Sequence, residues 1–151
     1  MKKIYFIAAA VFCILTIGYY VHDNAIIRGY YDKVECYDND GFQDYTDYCK
    51  YFHTEEYDEK FSKNKLYSLV SEDDIENILS YFRNFREWMN VSNRSGEYDF
   101  DNDIITTGDY VYIDSKEGKK IGSSYYEKFD NYNVYLYDID SHTLYYIHNN
   151  I

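Results

Sequence analysis

Proline is absent from this sequence of 151 residues, and its few alanines are Ala8, Ala9, Ala10 and Ala25. Tyrosine, by contrast, occurs 22 times. Because proline and alanine have GC-rich codons and tyrosine has AT-rich codons, a low-GC genome would produce this bias without selection for a function. Tyrosine also suits the half-buried faces of β-strands. We therefore favour a structural role for the tyrosines over an aromatic platform that binds sugars or peptides.

The sequence also lacks the short motifs that identify common active sites. It contains no G-x-S-x-G, no H-E-x-x-H and no P-loop. It therefore gives no basis for assigning serine-hydrolase, zinc-protease or nucleotide-hydrolase chemistry. No internal repeat of solenoid or propeller period is present either, which argues against a repeat architecture.

Acidic residues are absent from the first 22 positions. Met1-Lys2-Lys3 is followed by an uncharged run from Ile4 to Val21, and the first acid is Asp23. As a helix this run would be about 27 Å long, close to the ~30 Å hydrocarbon core of a bilayer. The two lysines place the N-terminus in the cytoplasm by the positive-inside rule. Residues 1–21 are therefore predicted to form a transmembrane helix that leaves the rest of the chain outside the cell.

The same segment has other interpretations. Thr16-Ile17-Gly18 is its best match to a signal-peptidase site, and cleavage after Gly18 would make the protein secreted. A lipoprotein signal is rejected because Cys13 follows Phe12 rather than a small residue. A buried helix of a soluble core is rarely apolar on every side over this length. We favour an uncleaved signal-anchor, and a cleaved signal peptide stays open.

Charge is distributed unevenly along the chain. All 27 acidic residues lie after position 22, together with 13 of the 15 lysines and arginines, which gives the predicted external part a formal charge of −14. Charge of this sign repels nucleic acid and anionic lipid headgroups, and it attracts cations or a basic protein surface. A basic protein is therefore one candidate partner, and no binding of nucleic acid is predicted.

The remaining chain is predicted to consist of a polar stalk at 22–41 and an extracytoplasmic α+β domain at 42–151. In that domain two amphipathic helices pack on a small antiparallel β-meander. The first helix is predicted from apolar residues that recur at three- and four-residue steps: Phe42, Tyr45, Tyr48, Cys49 and Phe52.

The second helix has a stronger pattern. Ser71 is a good N-cap, and acids follow it where the positive end of a helix dipole would lie. An apolar stripe of helical period comes next, made of Ile75, Ile78, Leu79, Phe82, Phe85 and Met89.

The last third of the chain is typical of strands. Alternating residues predict strands at 108–115, 132–137 and 143–147, with a further one within 121–129. Val134 and Leu136 fall on one face and Tyr135 and Tyr137 on the other, which predicts a hairpin that packs on one side.

The two cysteines of the predicted external part allow two interpretations. A disulfide between Cys36 and Cys49 would close a 14-residue ring, worth about 3 kcal/mol in the chain-entropy model. Disulfides persist outside the cell, so we favour the bridge over two independent thiols. Cys49 and His53, four residues apart on the predicted helix, could instead face one zinc ion with Cys36 nearby. That zinc signal is weak, and oxidation would remove its ligands.

Two acidic loops resemble calcium-binding patterns without matching them. Asp38 and Asp40 precede Gly41, but Cys36 occupies the leading position of that loop. A second alternating set, Asp99, Asp101 and Asp103, is followed by Ile104 where glycine should stand. Such triplets arise by chance in a chain this acidic. We keep these five aspartates as weak metal candidates and predict no cofactor.

Histidines near the last predicted strand offer one route to catalysis. His142 and His148 flank that strand and could each approach one of many carboxylates. Catalysis by such a pair needs a cleft and shifted pKa values, which a sequence does not reveal. No catalytic residue is therefore assigned.

Several strings resemble a group of small bacterial proteins with an N-terminal membrane segment. They are DGFQDYTDY at 40–48, GDY at 108–110 and LYYIHNN at 144–150. The resemblance implies a location in the bacterial envelope and no known activity, so no site residue is carried over from it.

We expect a membrane-tethered extracytoplasmic domain with a binding or structural role at the cell envelope. One alternative is an acidic inhibitor or immunity-type protein that neutralises a basic partner. A second alternative is an envelope hydrolase that uses carboxylate and histidine chemistry.

Overall fold

The computed structural model describes residues 26–39, 45–92 and 94–150. The predicted transmembrane run from Ile4 to Val21 lies outside the described residues, as do Asp40 and Phe42. Among the residues that are described, no helix is both long enough and apolar enough to cross a bilayer. The chain divides into two units at Tyr30 and Tyr31, and the second unit contains the whole sheet. In the first unit, residues 26–28 are helical.

The second unit is α+β, with an antiparallel sheet and few helices. The sheet strands are β1 (Lys33–Asn39), β2 (Tyr45–Phe52), β3 (Ser68–Leu69), β4 (Tyr110–Ser115), β7 (Asn131–Asp138) and β8 (Thr143–Asn150). They follow the order β1-β2-β8-β7-β4-β3. A separate two-stranded hairpin is formed by β5 (Lys120–Ile121) and β6 (Ser124–Tyr125). The helices are α1 (Asp58–Lys63) and α2 (Glu72–Val91), with short 3₁₀ turns at Glu55–Tyr57, Ser95–Glu97 and Asn102–Ile104.

The predicted β-meander is confirmed in strands β4, β7 and β8. Val134 pairs with Ile147 across β7 and β8, and Leu136 pairs with Val111 across β7 and β4. These residues are buried on the face that α2 covers. The intervening residues of β7 point to the opposite face, as strand alternation requires. Tyr135 and Tyr137 are buried there too, so the prediction that the hairpin packs on one side is wrong. The further strand expected within 121–129 is the short hairpin β5–β6.

Helix α2 forms where its cap and stripe predict it. The Asp74 carboxylate accepts hydrogen bonds from the backbone N (3.1 Å) and hydroxyl (2.5 Å) of Ser71, which closes a capping box at the first turn. One face of the helix is buried against the sheet through Ile78, Tyr81, Phe82, Phe85 and Met89. The core of the domain therefore lies between α2 and one face of the sheet.

The first predicted helix is wrong, because Tyr45–Phe52 forms strand β2. This strand lies between β1 and β8 and carries apolar side chains on both faces. Tyr48 points into the core under α2, whereas Cys49 and Tyr51 are buried outside that core. Burial on both faces produces apolar residues three and four positions apart, which imitates the period of a helix.

The polar stalk is also wrong for Lys33–Asn39, which forms the edge strand β1. Sequence patterning missed it because none of the side chains described from Lys33 to Tyr37 is buried. An edge strand needs a backbone partner more than an apolar face, and β2 supplies that partner.

A second, smaller layer covers the opposite face of the sheet. Phe61 of α1 is buried and stacks on Tyr137 of β7, with ring centroids 3.9 Å apart, and it also meets Tyr67 edge-on. Because Tyr137 and Leu136 alternate along β7, α1 and α2 pack on opposite faces. Of the two amphipathic helices predicted to pack on the meander, only α2 forms where the sequence predicts it.

Candidate functional site

A carboxylate, an imidazole and a phenol meet at the end of the sheet where β7 turns into β8. Asp58 is the first residue of α1, Tyr137 belongs to β7, and His142 lies in the turn. The Tyr137 hydroxyl donates to Asp58 Oδ1 at 2.6 Å, and His142 Nδ1 lies 3.0 Å from the same oxygen. We call these three residues the Asp58 cluster. Residues from three separate elements thus converge on one oxygen atom.

Local backbone geometry holds the imidazole in place. His142 has a φ of 51°, in the left-handed region that is uncommon outside glycine and in which asparagine, aspartate and histidine are enriched. Its carbonyl accepts a hydrogen bond from the backbone N of His53 at 2.9 Å. The His53 ring packs edge-on against Phe61 and Tyr137 at 5.3 and 5.8 Å. A second imidazole therefore borders the Asp58 cluster.

The cluster is partly open to solvent. The side chains of His142 and Asp58 are 32% and 24% exposed, whereas Tyr137 is fully buried. Burial raises the pKa of Tyr137, and its hydrogen bond to the Asp58 carboxylate raises that pKa further. The phenol therefore stays protonated and serves Asp58 as a fixed donor.

This arrangement can orient an imidazole for proton transfer. In a neutral ring whose Nδ1–H donates to Asp58, the lone pair lies on Nε2 of His142. A carboxylate that fixes the tautomer in this way is a common feature of general bases. Chemically, the Asp58 cluster is a carboxylate–imidazole pair with a buried phenol behind it.

The second candidate histidine lies elsewhere. His148 is within β8 rather than beyond it, six positions after His142, which is about 20 Å along a strand. Its Nδ1 lies 2.8 Å from Asn133 Oδ1, and the Tyr146 hydroxyl donates to the same oxygen at 3.0 Å. Burial, together with the charge of Lys116, lowers the pKa of His148 to about 4. It is neutral at physiological pH, and the two histidines do not form one site.

The alternating aspartates do not converge on one point. Asp99 accepts hydrogen bonds from the Tyr48 hydroxyl at 2.8 Å and from Lys50 Nζ at 2.7 Å. Although burial favours its neutral form, these two donors hold the pKa of Asp99 below its usual range. Asp101 instead caps the turn Asn102–Ile104 by accepting from the backbone N of Asp103. Among the described residues, no group of three or more histidines, cysteines, aspartates or glutamates is placed to hold a metal ion.

In the other calcium-like loop, Asp38 lies in strand β1 and Asp40 lies outside the described residues.

Cys36 and Cys49 are joined by a disulfide in the structure. They stand directly opposite each other in β1 and β2, with Cα atoms 4.1 Å apart. The bond occupies the Cys49 sulfur that the zinc interpretation requires. His53 lies beyond the end of β2 and packs against the aromatic rings around α1.

Sequence patterns pointed to His142 but not to its partners. Asp58 and His142 are 84 positions apart, and only the return of β7 and β8 along the sheet brings them together. Asp58 stands in a run of acids in which no residue is distinguished by type.

A buried aspartate was missed for the same reason. Asp109 is fully buried. Its carboxylate accepts hydrogen bonds from the backbone N of Thr106 at 2.8 Å and from the backbone N of Ile139 at 3.2 Å.

No protein-family model matches the sequence, and searches of curated proteins and of solved structures found no match either.

Proposed function

We propose that this protein is an extracytoplasmic domain, tethered to the membrane by residues 4–21, with a binding or structural role at the bacterial cell envelope. The observation that carries the proposal is the Cys36–Cys49 disulfide between adjacent strands. Disulfides form and persist in oxidising compartments and are rare in the cytosol. The uncharged run Ile4–Val21 and the resemblance to small bacterial membrane-anchored proteins support the same location.

The formal charge of −14 on the part beyond residue 22 supports a basic protein as the partner. Electrostatic complementarity raises the rate of association more than the affinity. If the partner is basic, its association rate constant should fall steeply with added salt, while the dissociation rate changes little. A partner recovered with equal efficiency at low and high salt would contradict this assignment.

The location is tested on the full chain with a C-terminal tag in bacterial cells. We expect the protein in washed membranes, with the tag digested by protease added to spheroplasts. We also expect Cys36 and Cys49 to resist an alkylating reagent until a reductant is added. The matched control lacks residues 4–21 and should stay in the cytosol with both thiols alkylated. Full-length protein found in the cytosol with reduced cysteines would refute the proposal.

A second function is favoured by the Asp58 cluster, namely hydrolysis of an envelope substrate with His142 as general base. His142→Asn is a suitable test because asparagine tolerates the left-handed backbone at this position. Digestion of purified cell-wall material should be lost in His142→Asn and in Asp58→Asn, but retained in His148→Asn. Equal digestion by all four proteins, wild type included, would remove the catalytic role.

A further inference from the structure

We infer that the Cys36–Cys49 disulfide is a reducible link that holds strand β1 in the sheet. Thiol–disulfide exchange at Cys36 releases β1 from β2, while the other five strands of the sheet and α2 stay folded. This inference rests on how β1 is held and on which of the two cysteines is exposed. It does not depend on the partner or on the activity of the domain.

Strand β1 contributes almost nothing to the core. Among its described side chains Lys33, Val34, Cys36 and Tyr37 are exposed, and only Glu35 is half-buried. The central strands differ, because β7 and β8 are buried along nearly their whole length. Since buried apolar area is the main favourable contribution to folding, little of the stability of the domain is lost when β1 leaves.

Among the described residues, three noncovalent side-chain contacts join β1 to β2. Lys33 Nζ lies 5.2 Å from the centre of the Phe52 ring. Glu35 pairs with Lys50 Nζ at 3.1 Å, and Tyr37 stacks on Tyr48 with ring centroids 6.2 Å apart. The Glu35 and Lys50 side chains are partly buried, but Lys50 has a second acidic partner in Asp99, so loss of the pair with Glu35 should cost the domain little. Beside the backbone ladder, the disulfide is therefore the main tie between β1 and β2.

The residues of β2 have other partners that remain when β1 leaves. Lys50 keeps its ion pair with Asp99 at 2.7 Å, and Tyr48 keeps its hydrogen bond to the same carboxylate. The Tyr48 ring also packs edge-on against Tyr98 at 5.0 Å. On its other side β2 pairs with β8 over its whole length. Strand β2 is thus fixed to the core independently of β1.

The two cysteine residues differ in exposure. Cys36 is exposed, whereas Cys49 is only 6% exposed. A thiolate from solvent can therefore attack Cys36 Sγ, the step that begins thiol–disulfide exchange. The Cys36–Cys49 bond breaks, its electron pair leaves on Cys49 Sγ, and that sulfur takes a proton from water.

A dithiol completes the reaction. The second thiolate of the dithiol attacks the sulfur through which the dithiol is bound to Cys36 in the mixed disulfide. The Cys36 thiolate is released and is then protonated. The two electrons come from the dithiol, which ends as a disulfide. The chemical class of the co-reactant is therefore a dithiol reductant, such as a protein with two neighbouring cysteines.

Hydrogen exchange with mass spectrometry tests the inference on the full chain. We use a Cys13→Ser background so that the bridge is the only redox-active pair, and dithiothreitol is the probe. After reduction, slow amides in peptides covering Lys33–Asn39 should exchange on the order of a hundredfold faster, as expected for removal of a 14-residue ring. Peptides covering β7 and β8 should keep their protection.

Two variants serve as matched controls. Cys36→Ser/Cys49→Ser should show the fast exchange of β1 without reductant and no further change with it. Cys36→Val/Cys49→Val, which keeps an apolar pair between the strands, should behave in the same way if the covalent bond is what holds β1. Unchanged exchange of Lys33–Asn39 after complete reduction would overturn the inference. A joint rise in β1, β7 and β8 would also overturn it, because the disulfide would then support the whole fold.

Discussion

Protonation of the buried His148 should weaken the fold as the pH falls. Its imidazole is 6% exposed, and burial lowers its pKa from 6.5 to about 4. The unfolded chain takes up this proton below about pH 6.5, whereas the folded chain takes it up only below about pH 4. Between these values the unfolded form binds more protons. The free energy of unfolding therefore falls as the pH is lowered through this window.

The size of the effect follows from the difference between the two pKa values. At pH 5 the loss is about 2 kcal/mol, and below pH 4 it approaches roughly 3 kcal/mol. Either amount is a large fraction of the stability of a typical small domain. Above pH 7 the contribution of His148 to the free energy of unfolding no longer changes, so raising the pH further should not stabilise the protein through this group.

The measurement is urea unfolding followed by circular dichroism at pH 7.5, 6, 5 and 4.5. The test variant is His148→Asn, whose amide N can replace Nδ1 as the donor to Asn133 without titrating. The substitution should thus remove about 2 kcal/mol of the pH dependence seen between pH 7.5 and 5. Because the comparison is a difference between two proteins, the carboxylates that titrate in both of them cancel.

A matched control keeps the imidazole and removes the other donor to Asn133. Tyr146→Phe leaves His148 in place, so the protein should keep the pH dependence of its parent. Identical slopes in wild type and His148→Asn would refute the view that burial keeps this imidazole neutral.

Three further predictions concern the core, the Asp58 cluster and the cap of α2. Phe82→Ala should lower the free energy of unfolding by about 3–5 kcal/mol because the ring is fully buried, whereas the partly exposed Trp88 should cost less on the same substitution. Tyr137→Phe should cost about 1–3 kcal/mol in urea unfolding because Asp58 loses its buried donor. A cost near zero would show that water replaces the phenol. Ser71→Ala should cost about 1 kcal/mol by thermal unfolding, and Ser71→Thr, which keeps the hydroxyl that donates to Asp74, should recover most of it.

The parts of the fold that local patterns determine were predictable from the sequence. Ser71 and the apolar stripe after it identify α2 because a helix carries its cap and its period within its own residues. Alternation identifies β7 in the same way, since aliphatic Val134 and Leu136 alternate with tyrosines even though both faces are buried. In these elements local preference and tertiary environment agree.

The rest of the fold depends on neighbours that a local window does not contain. Tyr45–Phe52 is a strand because β1 and β8 lie on either side of it, and its two buried faces hide the period of two. Lys33–Asn39 has too few buried side chains to show any period. The location and the partner of the protein stay predictions.

The candidate site was predictable only in part, and for a geometric reason. A histidine in a turn near a strand is visible in the sequence, so His142 could be singled out. The choice of Asp58 among 27 acidic residues requires knowing where α1 packs, which the ring of Phe61 on Tyr137 decides. Long-range sites of this kind follow from topology rather than from spacing.

The place of β2 in the sheet has a consequence for how the protein is made. β2 pairs with β8, whose residues follow 91 to 105 positions later in the chain, from Phe52 with Thr143 to Tyr45 with Asn150. During synthesis β1 and β2 emerge long before β8, so the early hairpin must wait for its central neighbour. Contacts of such long separation slow folding. Ribosomes that stall before β8 is complete would leave a nascent chain whose early and late halves have no strand to join them.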